Sequence, residues 1–275
     1  MFLSFFPTGM RAQDDYRYVY MFERKASPQA SRFTGDYSMC LEYRDGESMF
    51  YSEVKYLRDS IQMAGLEAGK EVWEIRDEQA SLPKSSENWL IKIDFRKKEY
   101  VKVDQFLTSV FESRPAGLTM PAWKVLPGTE TVAGYECSMA EAEYLGRKWK
   151  VWFTEDIPLN IGPWLLWGTP GLIVKAVDSE DLFHFVLNLI EAPSSLRMDD
   201  GLFLYQKAEG EKKDLTVTGI KELEQRMNYF RRNLNAGIQD VFGGEVSVKD
   251  QKGNVIQPSV KAYTPLIPDD FFNKR

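Results

Sequence analysis

Alternation of apolar and polar positions dominates the chain. Tyr16 to Arg24 alternates as a first strand. Tyr37 to Tyr43 and Met49 to Val54 flank Arg44-Asp45-Gly46-Glu47, and an Asp-Gly step between two alternating runs predicts a hairpin. Trp89 to Phe95 and Tyr100 to Val103 predict a second hairpin across Arg96-Lys97-Lys98-Glu99. Tyr135 to Tyr144 and Arg147 to Thr154 flank Leu145-Gly146, with Trp149, Val151 and Phe153 on one face and Lys148, Lys150 and Trp152 on the other. Leu172 to Val177 and Leu182 to Glu191 predict another hairpin across residues 178–181, and Glu245 to Val248 with Val255 to Gln257 a short last one. Two prolines break Thr119 to Pro127, which restricts it to an edge strand. Over residues 55–85, Gly65, Gly69 and the Ser/Pro/Lys stretch at 81–86 imply a polar excursion.

One segment has helical spacing. Ile220, Leu223, Met227, Phe230, Leu234 and Ile238 recur every three or four residues, with Thr218 as the expected cap and Gly237 as the expected end. The spacing predicts a helix over about 219–236. Tight turns between short strands imply antiparallel pairing, and one helix cannot supply parallel crossovers for so many strands. The expected fold is mainly β: an antiparallel curved sheet or partly open barrel built from hairpins, with one long amphipathic C-terminal helix packed on it. The chain divides into residues 1–12, a β domain over 13–195, and a C-terminal part over 196–275 packed on the same domain.

Composition narrows the function. The 275 residues are 43% apolar, enough for a substantial core, and 13% aromatic, which suits strands. A net charge of −6, spread along the chain, gives no basic groove for nucleic acid. No apolar run approaches the ~20 residues of a membrane-spanning helix. Met1-Phe2-Leu3-Ser4-Phe5-Phe6, a Pro7/Gly9 break and Ala12 have the pattern of a secretory signal remnant, so the mature chain is expected to start near Gln13 and to be exported. Cys40 and Cys137 are the only cysteines. They either pair in an oxidising compartment or pack as two separate buried thiols.

Chemistry is sparse. His184 is the only histidine, which excludes sites built from several imidazoles, and its strand context favours packing over general-base work. There is no nucleophile elbow, phosphate loop or dinucleotide fingerprint, so no cofactor is implied. Paired carboxylates remain: Glu155-Asp156 after the aromatic strand, and Glu141 with Glu143 two apart on one strand face. Side by side or alternating, such acids more often mark a solvated edge. The most distinctive stretch is the Pro/Gly/Trp-rich connection from Ile157 to Gly171, whose Trp164 and Trp167, with Trp152, offer indole platforms for a sugar or peptide.

Trp164 to Ile173 resembles the signature of the GLPGLI family, with Thr169 standing where the signature has Leu. Gly134-Tyr135-Glu136-Cys137, the strand Arg147 to Phe153, Thr154 to Pro158, Gly162-Pro163-Trp164 and the upstream Met49-Phe50-Tyr51-Ser52 extend the resemblance over roughly residues 16–195. It implies a Bacteroidetes protein of the periplasm or outer membrane, often in genomic company with outer-membrane transport systems. Related domains resemble the N-terminal module of secreted glycan-processing enzymes, which implies carbohydrate binding. The expected function is thus non-catalytic binding or structure in the cell envelope, with Trp152, Trp164, Trp167, Glu155 and Asp156 as candidate ligand residues. The alternative is a carboxylate-dependent glycan hydrolase or carbohydrate-binding module. A convergent pair of acids beside exposed indoles would favour the hydrolase.

Overall fold

The structure, a computed structural model, describes residues 16–33, 37–83, 87–106, 109–193, 196–200, 215–234, 237–239 and 263–273. The leader at 1–12 and the hairpin expected over 245–257 lie outside them.

Among the described residues, twelve strands form one open, mostly antiparallel sheet. They are β1 (Tyr16–Arg24), β2 (Tyr37–Arg44), β3 (Glu47–Ser52), β4 (Trp89–Asp94), β5 (Glu99–Phe106), β6 (Ser109–Ser113), β7 (Lys124–Val132), β8 (Tyr135–Tyr144), β9 (Arg147–Thr154), β10 (Leu172–Asp178), β11 (Phe183–Glu191) and β12 (Leu215–Val217). The order β12-β6-β5-β4-β3-β2-β1-β11-β10-β9-β8-β7 places β1 inside the sheet, with one meander leaving it on each side. The burial of β1 follows from that place: Tyr18, Tyr20 and Phe22 are sealed on one face and Val19 on the other. The Asp45-Gly46 and Leu145-Gly146 turns both have positive φ, as tight hairpins require.

Several expectations are corrected. The polar excursion expected over residues 55–85 carries two helices not expected from the sequence, α1 (Glu53–Glu67) and α2 (Val72–Gln79). The Ser52 side chain caps α1 by accepting from the Lys55 N–H, so Val54 is helical rather than the end of a strand. The sequence carries no apolar stripe for α1 because the helix buries a polar pair, Lys55 and Asp59, where an amphipathic stripe would place apolar residues. Burial pushes the Asp59 carboxyl up and the Lys55 ammonium down. The short edge strand β12 runs parallel to β6 and is a further addition. Of the proline-broken segment only Lys124 to Pro127 is strand, as the start of the edge strand β7, while Thr119 to Trp123 lie outside any strand; Pro127 falls in the register shift between Leu126 and Thr129, where the ladder is already interrupted.

Arg197–Asp200 forms α3, and the amphipathic helix is α4 (Ile220–Arg232). Leu223, Met227 and Phe230 of α4 are buried against Phe111, with Phe106 beside them. Its N-cap is Gly219, without a side-chain bond, rather than Thr218, and its C-cap is Asn233 rather than Gly237. Two buried ion pairs join it to β5, Lys102 with Glu224 and Arg231 with Asp104.

The two cysteines do not pair. Cys40 on β2 and Cys137 on β8 are free and buried in different apolar clusters. Burial pushes the Cys40 thiol up to about 12 and the Cys137 thiol up to about 11.

Candidate functional site

The Pro/Gly/Trp-rich bend lies on the larger core. Ile157, Ile161, Trp164, Leu165 and Leu166 are all sealed in the same cluster as Trp149, Phe183 and Phe185. Backbone bonds lock the bend to the start of β10: Leu172 N–H donates to the Ile157 carbonyl and Ile173 N–H to that of Ile161, each at 3.0 Å. Gly171 is required by contact: a Cβ there would sit 1.9 Å from the Thr154 carbonyl oxygen. Thr169 is sealed as well, and its hydroxyl donates to the Gly171 carbonyl at 2.7 Å, so the hydroxyl in place of an aliphatic chain has its partner.

The candidate ligand residues therefore separate. Trp164 is 2% exposed and packs on Trp149 at 5.6 Å between ring centres. Trp152 is 7% exposed and projects from the other face of β9. Its ring lies between the Lys150 and Lys175 ammonium groups, 4.6 and 4.4 Å from the ring centre, and its N–H donates to Glu130 at 2.8 Å. Glu155 and Asp156 are exposed in the turn after β9, where the Asp156 N–H donates to the Thr154 hydroxyl at 3.3 Å. Of the three indoles, Trp167 alone is partly exposed. Glu141 pairs with Lys148 at 3.0 Å, a contact that holds its carboxyl below the usual range. His184 bonds Asp181 at 2.6 Å and faces the Phe33 ring, so it is spent on the β10–β11 turn.

Trp167 leads to the cleft that sequence reasoning missed. Its indole N–H donates to the Thr119 carbonyl at 3.3 Å, and the Tyr144 hydroxyl donates to the same oxygen at 2.9 Å. The Trp123 indole donates back to the Trp167 carbonyl at 2.8 Å. Thr119 to Ala122, a strap crossing toward β7, forms one wall of a cleft of about 680 Å³. The β8–β9 turn forms another, through Glu143, Tyr144, Gly146 and Lys148, and Phe271 of the C-terminal segment closes it. Gly146 has φ +82°, and a Cβ there would press on Phe271 and Pro268 at 3.1 Å.

Arg147 holds this arrangement together. Its guanidinium donates to the carbonyls of Leu266 at 2.9 Å and Pro265 at 2.7 Å, and to Asp178 at 3.2 Å. It also lies 4.6 Å from the Phe183 ring centre. The C-terminal segment is anchored again on α4, where Arg232 and Asn228 bond Asp269 at 2.6 and 2.8 Å. Tyr144 is buried behind the strap, and burial raises its hydroxyl above the ordinary phenol range. The sequence signals for the cleft were weak: Pro121, the Leu145-Gly146 turn, and a Phe271-Phe272 pair near the C-terminus.

PNGF-II, solved in P21 and C2 crystal forms, is similar to this chain at TM-scores of 0.50 and 0.51 and sequence identities of 12% and 13%. The similarity covers 80% of this chain and 34% of the PNGF-II chain, so this protein spans about a third of that one. No family model matches the chain, and no curated protein does. At such identity the likeness concerns architecture alone. Among the described residues, no helix is long and apolar enough to cross a membrane, and no group of three or more His, Cys, Asp or Glu gathers to hold a metal ion.

Proposed function

We propose that this is an exported cell-envelope protein of the GLPGLI kind that binds a ligand without transforming it, in the cleft between the strap, the β8–β9 turn and Phe271. The observation that carries this reading is the shared Thr119 carbonyl. Through it the recognisable bend and the cleft wall are one hydrogen-bonded unit, with Trp167 on the bend and Tyr144 on the wall. A rigid core element that sets the position of an exposed strap is how a scaffold shapes a binding loop.

Binding is favoured over hydrolysis by the acids. Among the described residues, Glu143 is the one carboxylate lining the cleft, whereas glycosidases generally use two across the scissile bond. Glu155 and Asp156 are solvated in a separate turn, and Glu141 is committed to Lys148. The lining mixes Tyr144, Phe271 and Met120 with Lys148 and Glu143, a surface of apolar faces and a few polar groups that suits a glycan or peptide. The sheet, curling around the bend as a partly open barrel, supplies the rigid wall.

Export follows from the leader pattern and the family resemblance, and association with an outer-membrane transport system from the resemblance alone. Fractionation of the native host tests it. The mature chain is expected in the periplasm or outer membrane, beginning near Gln13. Recovery from the cytosol with residues 1–12 intact would remove the envelope assignment.

A further inference from the structure

The connection from β3 to β4 exposes an apolar tip that the cleft does not use. α1 and α2 meet at a short turn, and Ile75 packs over Gly65 to hold them together. Ile75 is the one buried side chain of α2. Its first turn instead presents Val72 and Trp73 to solvent at 59% and 69% exposure, and Leu66 in the last turn of α1 is 43% exposed. Trp73 is the most exposed large apolar side chain among the described residues. The capping box of Glu71 and Glu74 fixes the start of α2, so the indole stands on an ordered helix end.

Charge selects what can cover this tip. Residues 66–79 hold five acids, Glu67, Glu71, Glu74, Asp77 and Glu78, against two bases, Lys70 and Arg76. Lys70 is already paired with Glu78. A second copy would bring one acidic tip against another, and like charges across an interface oppose association. An anionic bilayer is disfavoured for the same reason. An indole with neighbouring aliphatic side chains inside a ring of acids is complementary to an apolar stripe flanked by lysine and arginine, which a cationic amphipathic helix presents.

We infer that the α1–α2 turn is a docking knob for a cationic, amphipathic helical segment of a partner protein. Trp73 and Val72 enter its apolar stripe, and Glu67, Glu71 and Asp77 face its bases. This surface is separate from the proposed ligand cleft and does not depend on it.

The test titrates the full chain into a fluorescently labelled amphipathic leucine–lysine helical peptide, with the leucine–glutamate peptide and anionic-lipid vesicles as comparisons. The lysine peptide is expected to bind, more weakly as salt rises. Trp73→Ala should weaken binding about tenfold, as loss of an aromatic anchor does. The charge-reversed pair Glu67→Lys with Asp77→Lys should also weaken it and flatten the salt dependence. Both changes fall on exposed side chains, so the fold is retained. Failure of the lysine peptide to bind, equal binding by Trp73→Ala, or a preference for the glutamate peptide or the vesicles would overturn the proposal.

Discussion

Tyr144 and Trp167 donate hydrogen bonds to one acceptor, the carbonyl of Thr119, at 2.9 and 3.3 Å. The first comes from the β8–β9 hairpin and the second from the bend before β10, so a single peptide group ties the two to the strap. Tyr144→Phe keeps the ring and removes the shorter bond. Its expected cost in urea unfolding is about 0.5–1.5 kcal/mol. A cost near zero would mean that the strap is held without this bond.

The indoles of the bend should behave differently. Trp164 is sealed beneath it, and Trp164→Ala should destabilise by about 3–5 kcal/mol. Trp167 is partly exposed, and Trp167→Ala should cost less than about 2 kcal/mol. Denaturant midpoints of the two variants give the comparison, and equal losses would contradict the burial difference.

Much of the sheet was legible because its turns are marked. Asp45-Gly46 and Gly146 supply residues that accept the positive φ of tight turns, and alternation fixes which side of β9 holds Trp149. The α4 stripe of Leu223, Met227 and Phe230 was legible for the same reason, as a period without competitors. α1 was not, because its buried face includes Lys55 and Asp59, which satisfy each other rather than following the apolar period. The cleft was illegible for another reason. Thr119, Tyr144 and Phe271 are far apart in sequence, and no local pattern announces that Arg147 draws the C-terminal segment onto the β8–β9 turn. The bend was visible as a motif, yet most of its signal comes from packing. Gly171 is needed because the Thr154 backbone is too close for any side chain.

The thiols offer a chemical check. Desolvation pushes Cys40 up to about 12 and Cys137 up to about 11, from an ordinary value of 9.0. Both groups therefore stay protonated in the fold at pH 8, and a thiol-reactive dye should label neither until denaturant is added, then both. The linkage has a sign. A folded value raised above the unfolded one contributes stability that is complete below about pH 9 and is lost as pH rises toward 11–12. Unfolding measured between pH 8 and 11 should show falling stability. A disulfide found by mass spectrometry would contradict the separate burial of the two residues.

Helix α4 is held by apolar contact and by buried charge. Phe230 is 3% exposed, and Phe230→Ala should cost about 3–5 kcal/mol. Arg231→Met leaves Asp104, which is fully buried, without the Nη2 group that donates to both its carboxylate oxygens at 2.7 and 2.6 Å, and should cost about 3–5 kcal/mol. Circular dichroism during urea unfolding measures both. A loss under about 1 kcal/mol for either would mean that the helix is not docked as described.

Binding in the cleft is tested most directly by hydrogen exchange with a panel of soluble oligosaccharides and peptides, each mixture then assayed for cleavage by mass spectrometry. At least one compound is expected to slow exchange at residues 119–122 and 144–148 together and to be recovered intact. Phe271→Ala should reduce that protection while the exchange of β1 is unchanged. Protection confined to other surfaces, or conversion of the bound compound to shorter products, would contradict a non-catalytic cleft formed by the strap, the β8–β9 turn and Phe271.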